Sequence, residues 1–151
     1  MKVTKDQINR FFSSGVITIV GVSRNEKKFG RMVFNNLKKN GYQVIPVNPN
    51  IDEIDGQTCY KNIKQIPEKI ESLLIISQKS KTNELLREAL ELEIENIWVQ
   101  KESCTKELVQ IAEEAGQQII HNECIFMYAP PVKGIHKFHR SIVGLFGQLP
   151  K

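Results

Sequence analysis

Apolar positions change their period several times along the chain, and each change marks an element. Ile8, Phe11 and Phe12 fall at helical spacing behind Thr4, Asp6 and Gln7, a helix start that Ser13-Ser14-Gly15 brings to a stop. Val16-Ile17-Thr18-Ile19-Val20 follows as a β-branched run, almost continuous in apolar character. Such a run predicts a strand covered on both faces, as in a parallel sheet. Phe29, Met32, Val33, Phe34 and Leu37 predict a helix over 28–40, closed by Gly41. Tyr42-Gln43-Val44-Ile45-Pro46-Val47 reads as a second strand, and Pro46 predicts that it ends or bulges there.

The alternation runs on. Residues 72–77 read as a third strand, and 82–93 as a helix carrying Leu85, Leu86, Ala89, Leu90 and Leu92. Residues 96–100 give a fourth strand, 105–115 a helix closed by Gly116, and 117–121 a short fifth strand. Strands alternating with helices predict a parallel α/β sheet with right-handed crossovers. The expected fold is a single Rossmann-like, doubly wound α/β domain over 1–129, with five parallel strands in the order 3-2-1-4-5 and helices on both faces. Residues 130–151 leave the alternation as a basic C-terminal extension. There Phe138, Ile142, Val143, Leu145 and Phe146, interleaved with Lys137, His139 and Arg140, predict a short helix over 135–146. Its apolar face is expected to dock on the body or on a second copy of the chain.

Composition narrows the class. The 151 residues suit one domain. A domain of this size buries about 68–70% of its chain's surface, so it needs no staple. The three cysteines, Cys59, Cys104 and Cys124, are odd in number and form no C-x-x-C pair. Reduced thiols in a cytoplasmic protein are therefore expected, with neither a disulfide framework nor a structural zinc. No apolar run approaches the roughly 18 residues of a membrane span, and the first residues lack a signal-peptide core. The formal net charge of +4 favours a phosphorylated ligand but is too small to indicate nucleic acid.

Chemistry is expected at the carboxyl ends of the strands, where open α/β sheets bind their ligands. After the first strand the chain reads Gly21-Val22-Ser23-Arg24-Asn25-Glu26-Lys27-Lys28-Phe29-Gly30-Arg31. Gly21 permits a close turn, and the next helix offers a positive N-terminus to an anion. Ser23 can donate to a phosphate oxygen, and Arg24, Lys27, Lys28 and Arg31 add four positive charges opposed by Glu26. The alternative is a solvated basic turn. The loop is not G-x-G-x-x-G, because Ser23 and Glu26 stand at the second and third glycine positions, and it is not a Walker A loop. The second strand ends in Val47-Asn48-Pro49, without the carboxylate that holds a nicotinamide cofactor's ribose. That disfavours NAD, although Asp52 and Glu53 lie a few residues on.

Taken together, Val20-Gly21-Val22-Ser23-Arg24-Asn25, Lys28-Phe29-Gly30 and Val44-Ile45-Pro46-Val47-Asn48-Pro49 resemble the small CoA-binding domain family. That family is similar to the N-terminal domain of the succinyl-CoA synthetase alpha subunit. Trp98-Val99-Gln100 and Ile120-His121-Asn122-Glu123-Cys124-Ile125-Phe126-Met127 fit its fourth and fifth strand ends, so the resemblance covers about residues 13–128. It implies a site for CoA or an acyl-CoA. Gly21, Val22, Ser23 and Arg24 would face the pyrophosphate, with Lys28 and Gly30 beside it. Asn48 and Pro49 would border the adenosine end, and Ser77 and Gln100 the rest of the crevice. The chain departs from the family's pattern at Asn50, where many relatives carry a basic residue. Ser77-Gln78-Lys79 replaces a Pro-rich turn, and Lys101-Glu102 a Pro-Gly.

Two sharper constellations are weighed against plainer ones. His121 and Cys124 suggest a Cys–His nucleophile, but no third group orients them, so a packed or ligand-adjacent thiol is expected. His136 and His139 share a helix face without a further ligand, so no metal site is expected. The chain is thus expected to bind CoA or an acyl-CoA as a small non-catalytic module, regulatory or carrier, able to form a homo-oligomer and without nucleic-acid or membrane partners. The alternatives are an NAD(P)-binding enzyme and an interaction protein with a vestigial nucleotide site.

Overall fold

The computed structural model describes residues 1–128, and the predicted extension over 130–151 lies outside them. In chain order the elements are α1 (Lys5–Ser13), β1 (Val16–Val20), α2 (Phe29–Lys39), β2 (Gln43–Val47), β3 (Glu53–Ile54) and β4 (Gln57–Thr58). They continue with β5 (Ser72–Ile75), α3 (Lys79–Glu91), β6 (Asn96–Val99) and α4 (Lys106–Glu114). The start of α1 is the predicted one: Thr4 Oγ1 accepts the Gln7 N–H while Gln7 Oε1 accepts the Thr4 N–H, a reciprocal cap. Thr105 caps α4 in the same sense through the Leu108 N–H. Helix α3 begins three residues before the expected Thr82, because the Thr82 hydroxyl donates back to the Gln78 carbonyl at 3.0 Å instead of capping.

The main sheet has four strands, all parallel, in the order β2-β1-β5-β6. The expected order 3-2-1-4-5 is therefore corrected: the predicted third strand, β5, pairs with β1 and not with β2. The edge falls to β2, where Pro46 has no N–H to donate and the outer side takes only the Tyr60 bridge, whereas β5 is paired on both sides, with β1 and β6. Pro46 neither ends nor bulges the strand. It stays in register with Ile19 while its carbonyl accepts the Tyr60 N–H on the outer side, so its missing N–H points away from β1. The predicted fifth strand shrinks to one parallel bridge, Ile120 to Trp98, made by the Ile120 N–H to Ile97 and the Val99 N–H to Ile120.

Successive strand residues feed two cores. Ile17, Ile19, Leu74 and Trp98 join α1 and α2 on one face, while Val20, Leu73, Ile75, Ile97 and Val99 join α3 and α4 on the other. The period-two alternation of a strand thus meets apolar cover on both sides, which is why the strands read as nearly continuous apolar runs. Trp98, fully buried, centres the first core, with the Phe11 and Phe12 rings at 5.2 and 5.9 Å and Tyr128 at 5.6 Å. Its Nε1–H donates to the Glu123 carbonyl at 3.1 Å, and this ties the segment after Ile120 to β6.

Strands β3 and β4 form a small antiparallel hairpin, absent from the sequence reading. Its turn is Asp55-Gly56, both with positive φ (51° and 76°), the pairing that a two-residue hairpin favours. Arg31 of α2 grips this turn. Its Nη2 donates to both Asp55 oxygens at 2.9 and 3.0 Å, and its Nε donates to Asn35 Oδ1. The Arg31 side chain is buried and that of Asp55 half exposed, so solvent screens part of the attraction. Asp55→Asn keeps the turn's tolerance of positive φ and removes the charge. It should cost about 1 kcal/mol, read as a lower denaturant midpoint that high salt partly masks.

Tyr42 packs against Phe12 at 5.6 Å, and its buried hydroxyl finds no hydrogen-bond partner among the described residues. Burial pushes the phenol up to about 12 from its usual 10. A folded-state pKa above the unfolded one contributes stability that is complete below pH 10 and lost as pH rises toward 12. Tyr42→Phe removes both the orphaned hydroxyl and this loss. The variant should be about 1 kcal/mol more stable at pH 8, and its advantage should widen in alkaline solution, measured by denaturant titration across that range.

Candidate functional site

Strand order reverses between β1 and β5, because the chain leaves β1 for β2 and then returns to the far side of β1. The carboxyl edge of these two strands is the place an open α/β sheet gives to a ligand. At that point the backbone is packed unusually closely. A Cβ on Gly21, whose φ is +105°, would overlap the Ile76 carbonyl, and one on Gly30 would overlap the Gly21 carbonyl. Gly21 thus lets β1 turn against the end of β5, and Gly30 lets α2 lie on that turn. Both glycines serve this packing. The Gly21 N–H donates to Val47 and the Ile76 N–H to Val20, which fixes three strand ends together.

The loop between β1 and α2 is built by its own side chains. Ser23 Oγ accepts the Asn25 N–H and Asn25 Oδ1 accepts the Lys27 N–H, each at 3.0 Å. The Asn25 carbonyl takes the Lys28 N–H. The Ser23 hydroxyl keeps its proton for donation. Arg24, Lys27 and Lys28 are exposed around this turn, and no side chain caps the N-terminus of α2. Arg31 does not join them: it is buried, committed to Asp55, and its Nη1 reaches the Ser23 carbonyl at 3.4 Å. Three of the four expected cations therefore face solvent at the loop, while the fourth holds the loop to the β3–β4 hairpin.

The other predicted residues divide by role. Val22 is fully buried, and its carbonyl accepts from Asn48 Nδ2 at 2.8 Å. Asn48 Oδ1 takes the Asn50 N–H, so the Asn48 amide links the ends of β1 and β2 and shapes the turn that exposes Pro49. Ser77 is half-buried: its N–H donates to Ser103 Oγ and its hydroxyl lies 2.8 Å from Thr82 Oγ1. Gln100 is buried. Its Oε1 accepts the Ile125 N–H, its Nε2 donates to Glu102, and its own N–H bonds the Ile75 carbonyl. It anchors the turn of residues 125–127 to the end of β5 through its side chain and backbone together.

Sequence reasoning missed part of this edge. The Thr82–Ser77–Ser103 hydroxyl cluster gave no spacing signal, because its members come from three separate segments. Phe126, 39% exposed, sets its ring edge-to-face on the partly buried Phe29 at 5.2 Å. The Asp55-Gly56 dipeptide was the available signal for the hairpin that pairs with Arg31.

Among the described residues, the His121 ring is not paired with Cys124. Nε2 of His121 lies 3.1 Å from the Met1 carbonyl and Nδ1 lies 3.0 Å from the Asn122 amide, so neither nitrogen is directed at Cys124. Burial pushes the thiols of Cys59 and Cys104 up, away from the reactive thiolate. Among the described residues no group of three or more His, Cys, Asp or Glu is placed to hold a metal ion. A polar cavity of about 440 Å³, lined by Gln7, Arg10, Asn96 and Gln117, opens at the opposite, amino edge of the sheet. The strand-end argument gives it no part in the site.

The ADP-forming acetate–CoA ligase II subunit alpha of Pyrococcus furiosus is 31% identical over 129 residues, covering 78% of this chain and 28% of the ligase subunit. The chain therefore spans little more than a quarter of that relative. The uncharacterized protein YneT of Bacillus subtilis is 29% identical over 109 residues, 72% of this chain and 81% of its own length. A solved structure of a hypothetical protein from Pyrococcus horikoshii OT3 superposes with a TM-score of 0.74 at 30% identity, covering 82% of this chain and 87% of that one. The model of the CoA binding domain family matches residues 15–130, and the chain belongs to that family.

Proposed function

We propose that the chain holds CoA or an acyl-CoA at the carboxyl edge of β1 and β5, as a binding module that performs no acyl chemistry by itself. One observation carries this reading: the uncapped N-terminus of α2 and the self-supported loop before it, ringed by exposed Arg24, Lys27 and Lys28. Amides at a helix N-terminus offer fixed positive potential to a pyrophosphate. Arg24 adds a planar fork for two phosphate oxygens and Lys28 a more mobile point charge. Ser23 can donate its remaining hydroxyl proton. Val22 and Gln100 act from below, by fixing the turns on either side of the crevice. The end of β2 carries Asn48 and Pro49 in place of a ribose-binding carboxylate, which favours CoA over NAD.

A second reading has its own support. Because the chain matches little more than a quarter of a ligase alpha subunit, it also suits the CoA-binding part of a larger ADP-forming ligase. Native mass spectrometry of protein purified from its own source separates the two. Ligand-bearing monomers or homo-oligomers support the module, and a stoichiometric larger subunit supports the ligase part.

Calorimetry in one buffer should find CoA bound more tightly than NAD or NADP, and equal or tighter NAD binding would overturn the assignment. Arg24→Ala should weaken CoA by about 1.5–3 kcal/mol, or roughly ten- to a hundredfold. Lys39→Ala, at the far end of α2, should change it little.

The isolated chain is expected neither to hydrolyse acyl-CoA nor to form acetate from acetyl-CoA with ADP and phosphate. Multiple-turnover thioester cleavage abolished by Cys124→Ala would reverse that expectation and restore Cys124 as a nucleophile.

A further inference from the structure

The polar cavity at the amino edge of the sheet shares no residue with the carboxyl-edge site. Its volume, about 440 Å³, falls within the range of small-molecule sites. One wall is α1, which brings Gln7 and Arg10. The other is the start of β6 with the turn that closes α4, which bring Glu95, Asn96, Gly116 and Gln117. Each amide around it spends one end on the fold and leaves the other over. Gln7, 6% exposed, accepts the Thr4 N–H on Oε1, and its Nε2 has no hydrogen-bond partner among the described residues. Gln117 donates Nε2 to the Glu95 and Gln118 carbonyls, and Asn96 donates Nδ2 to the Glu71 carbonyl. Their oxygens, Gln117 Oε1 and Asn96 Oδ1, accept no hydrogen bond among the described residues.

Charge divides in the same way. Arg10 and Glu95 line the same cavity, yet neither side chain forms an ion pair among the described residues. The wall of α1 therefore offers donors and a positive charge. The facing wall offers three acceptors and a negative charge, to which the carboxyl end of α4 at Gly116 adds its own negative potential. We propose that this cavity binds a free α-amino acid, with its carboxylate on Arg10 and Gln7 and its ammonium on Glu95, Asn96 and Gln117. A carboxylate can take the guanidinium fork through both oxygens. An ammonium carries three donors and no acceptor, which matches the three oxygens of the other wall. A simple anion would meet Glu95 and a simple cation Arg10, so only a small zwitterion satisfies both walls. The proposal stands apart from the CoA reading, since the two sites lie at opposite edges of one sheet.

Titration of the full chain with each standard α-amino acid, followed by nuclear magnetic resonance of the Gln7 and Gln117 side-chain amides, tests it. At least one amino acid should shift both signals saturably, with a dissociation constant of about 1 mM or tighter. Its N-acetyl derivative and its carboxamide, each lacking one of the two charges, should bind about tenfold more weakly. Arg10→Gln should weaken the amino acid about tenfold without weakening the carboxamide. Glu95→Gln should do the same without weakening the N-acetyl derivative. Both residues are exposed, and an unchanged melting profile reports that the variants stay folded. The proposal is overturned if no standard amino acid binds in that range, if the N-acetyl derivative or the carboxamide binds as tightly as the amino acid, or if either variant leaves the affinity unchanged.

Discussion

The contact on which this fold turns is backbone against backbone. The Ile76 carbonyl at the end of β5 occupies the place of a side chain on Gly21, and the Gly21 carbonyl occupies that of one on Gly30. Two consequences follow from a single close approach. Strand β1 can leave the sheet at once, so the loop of 21–28 starts flush with the strand ends. Helix α2 can then lie directly on that turn, which aims its first amides at the edge where strand order reverses. Any larger residue at position 21 would push β5 away from β1, disrupting the sheet before it obstructed a ligand. The glycines of the loop therefore act on the site through the fold.

Much of this was legible in the chain. The nearly continuous β-branched run at 16–20 and the apolar run within 72–77 predict strands that the structure keeps as buried and parallel, and Thr4 and Thr105 mark helix starts that it also keeps. Strand order was not legible. Hydrophobic patterning says that β5 is covered on both faces, but not which strands flank it within the sheet. The deciding fact is lateral: β2, carrying Pro46 with no N–H for a further ladder, takes the edge, whereas β5 is paired on both sides. Period alone equally could not foretell that residues 117–121 would contribute only the Ile120 bridge, since pairing there depends on where Trp98 holds the Glu123 carbonyl.

The basic loop shows the limit of counting charges. Sequence placed Arg24, Lys27, Lys28 and Arg31 in one group, and spacing could not separate them. Burial does. Arg31 spends its guanidinium on Asp55, Asn35 and the Ser23 carbonyl, and so works as a brace. Its partner lies 24 residues away across a hairpin, a relation no local pattern encodes. Arg24, Lys27 and Lys28, left exposed, are the charges with freedom to meet an anion. A long basic side chain has electrostatic value to a ligand only when nothing in the fold has already claimed it.

Helix caps follow the same division. The four α-helices among the described residues run back across a parallel sheet, so their N-termini gather at its carboxyl edge. Thr4 and Thr105 cap α1 and α4, whereas no side chain caps α2 or α3, the two helices that follow β1 and β5. An N-cap side chain is worth about 1 kcal/mol to a helix, so its omission costs stability. A capping oxygen at α2 would also take the amide hydrogens that a phosphate oxygen needs, since both satisfy the same unpaired donors. In a CoA-binding domain, an uncapped α2 leaves those donors open to an anion. The helices away from the strand reversal face no such competition, and there the chain takes the cap.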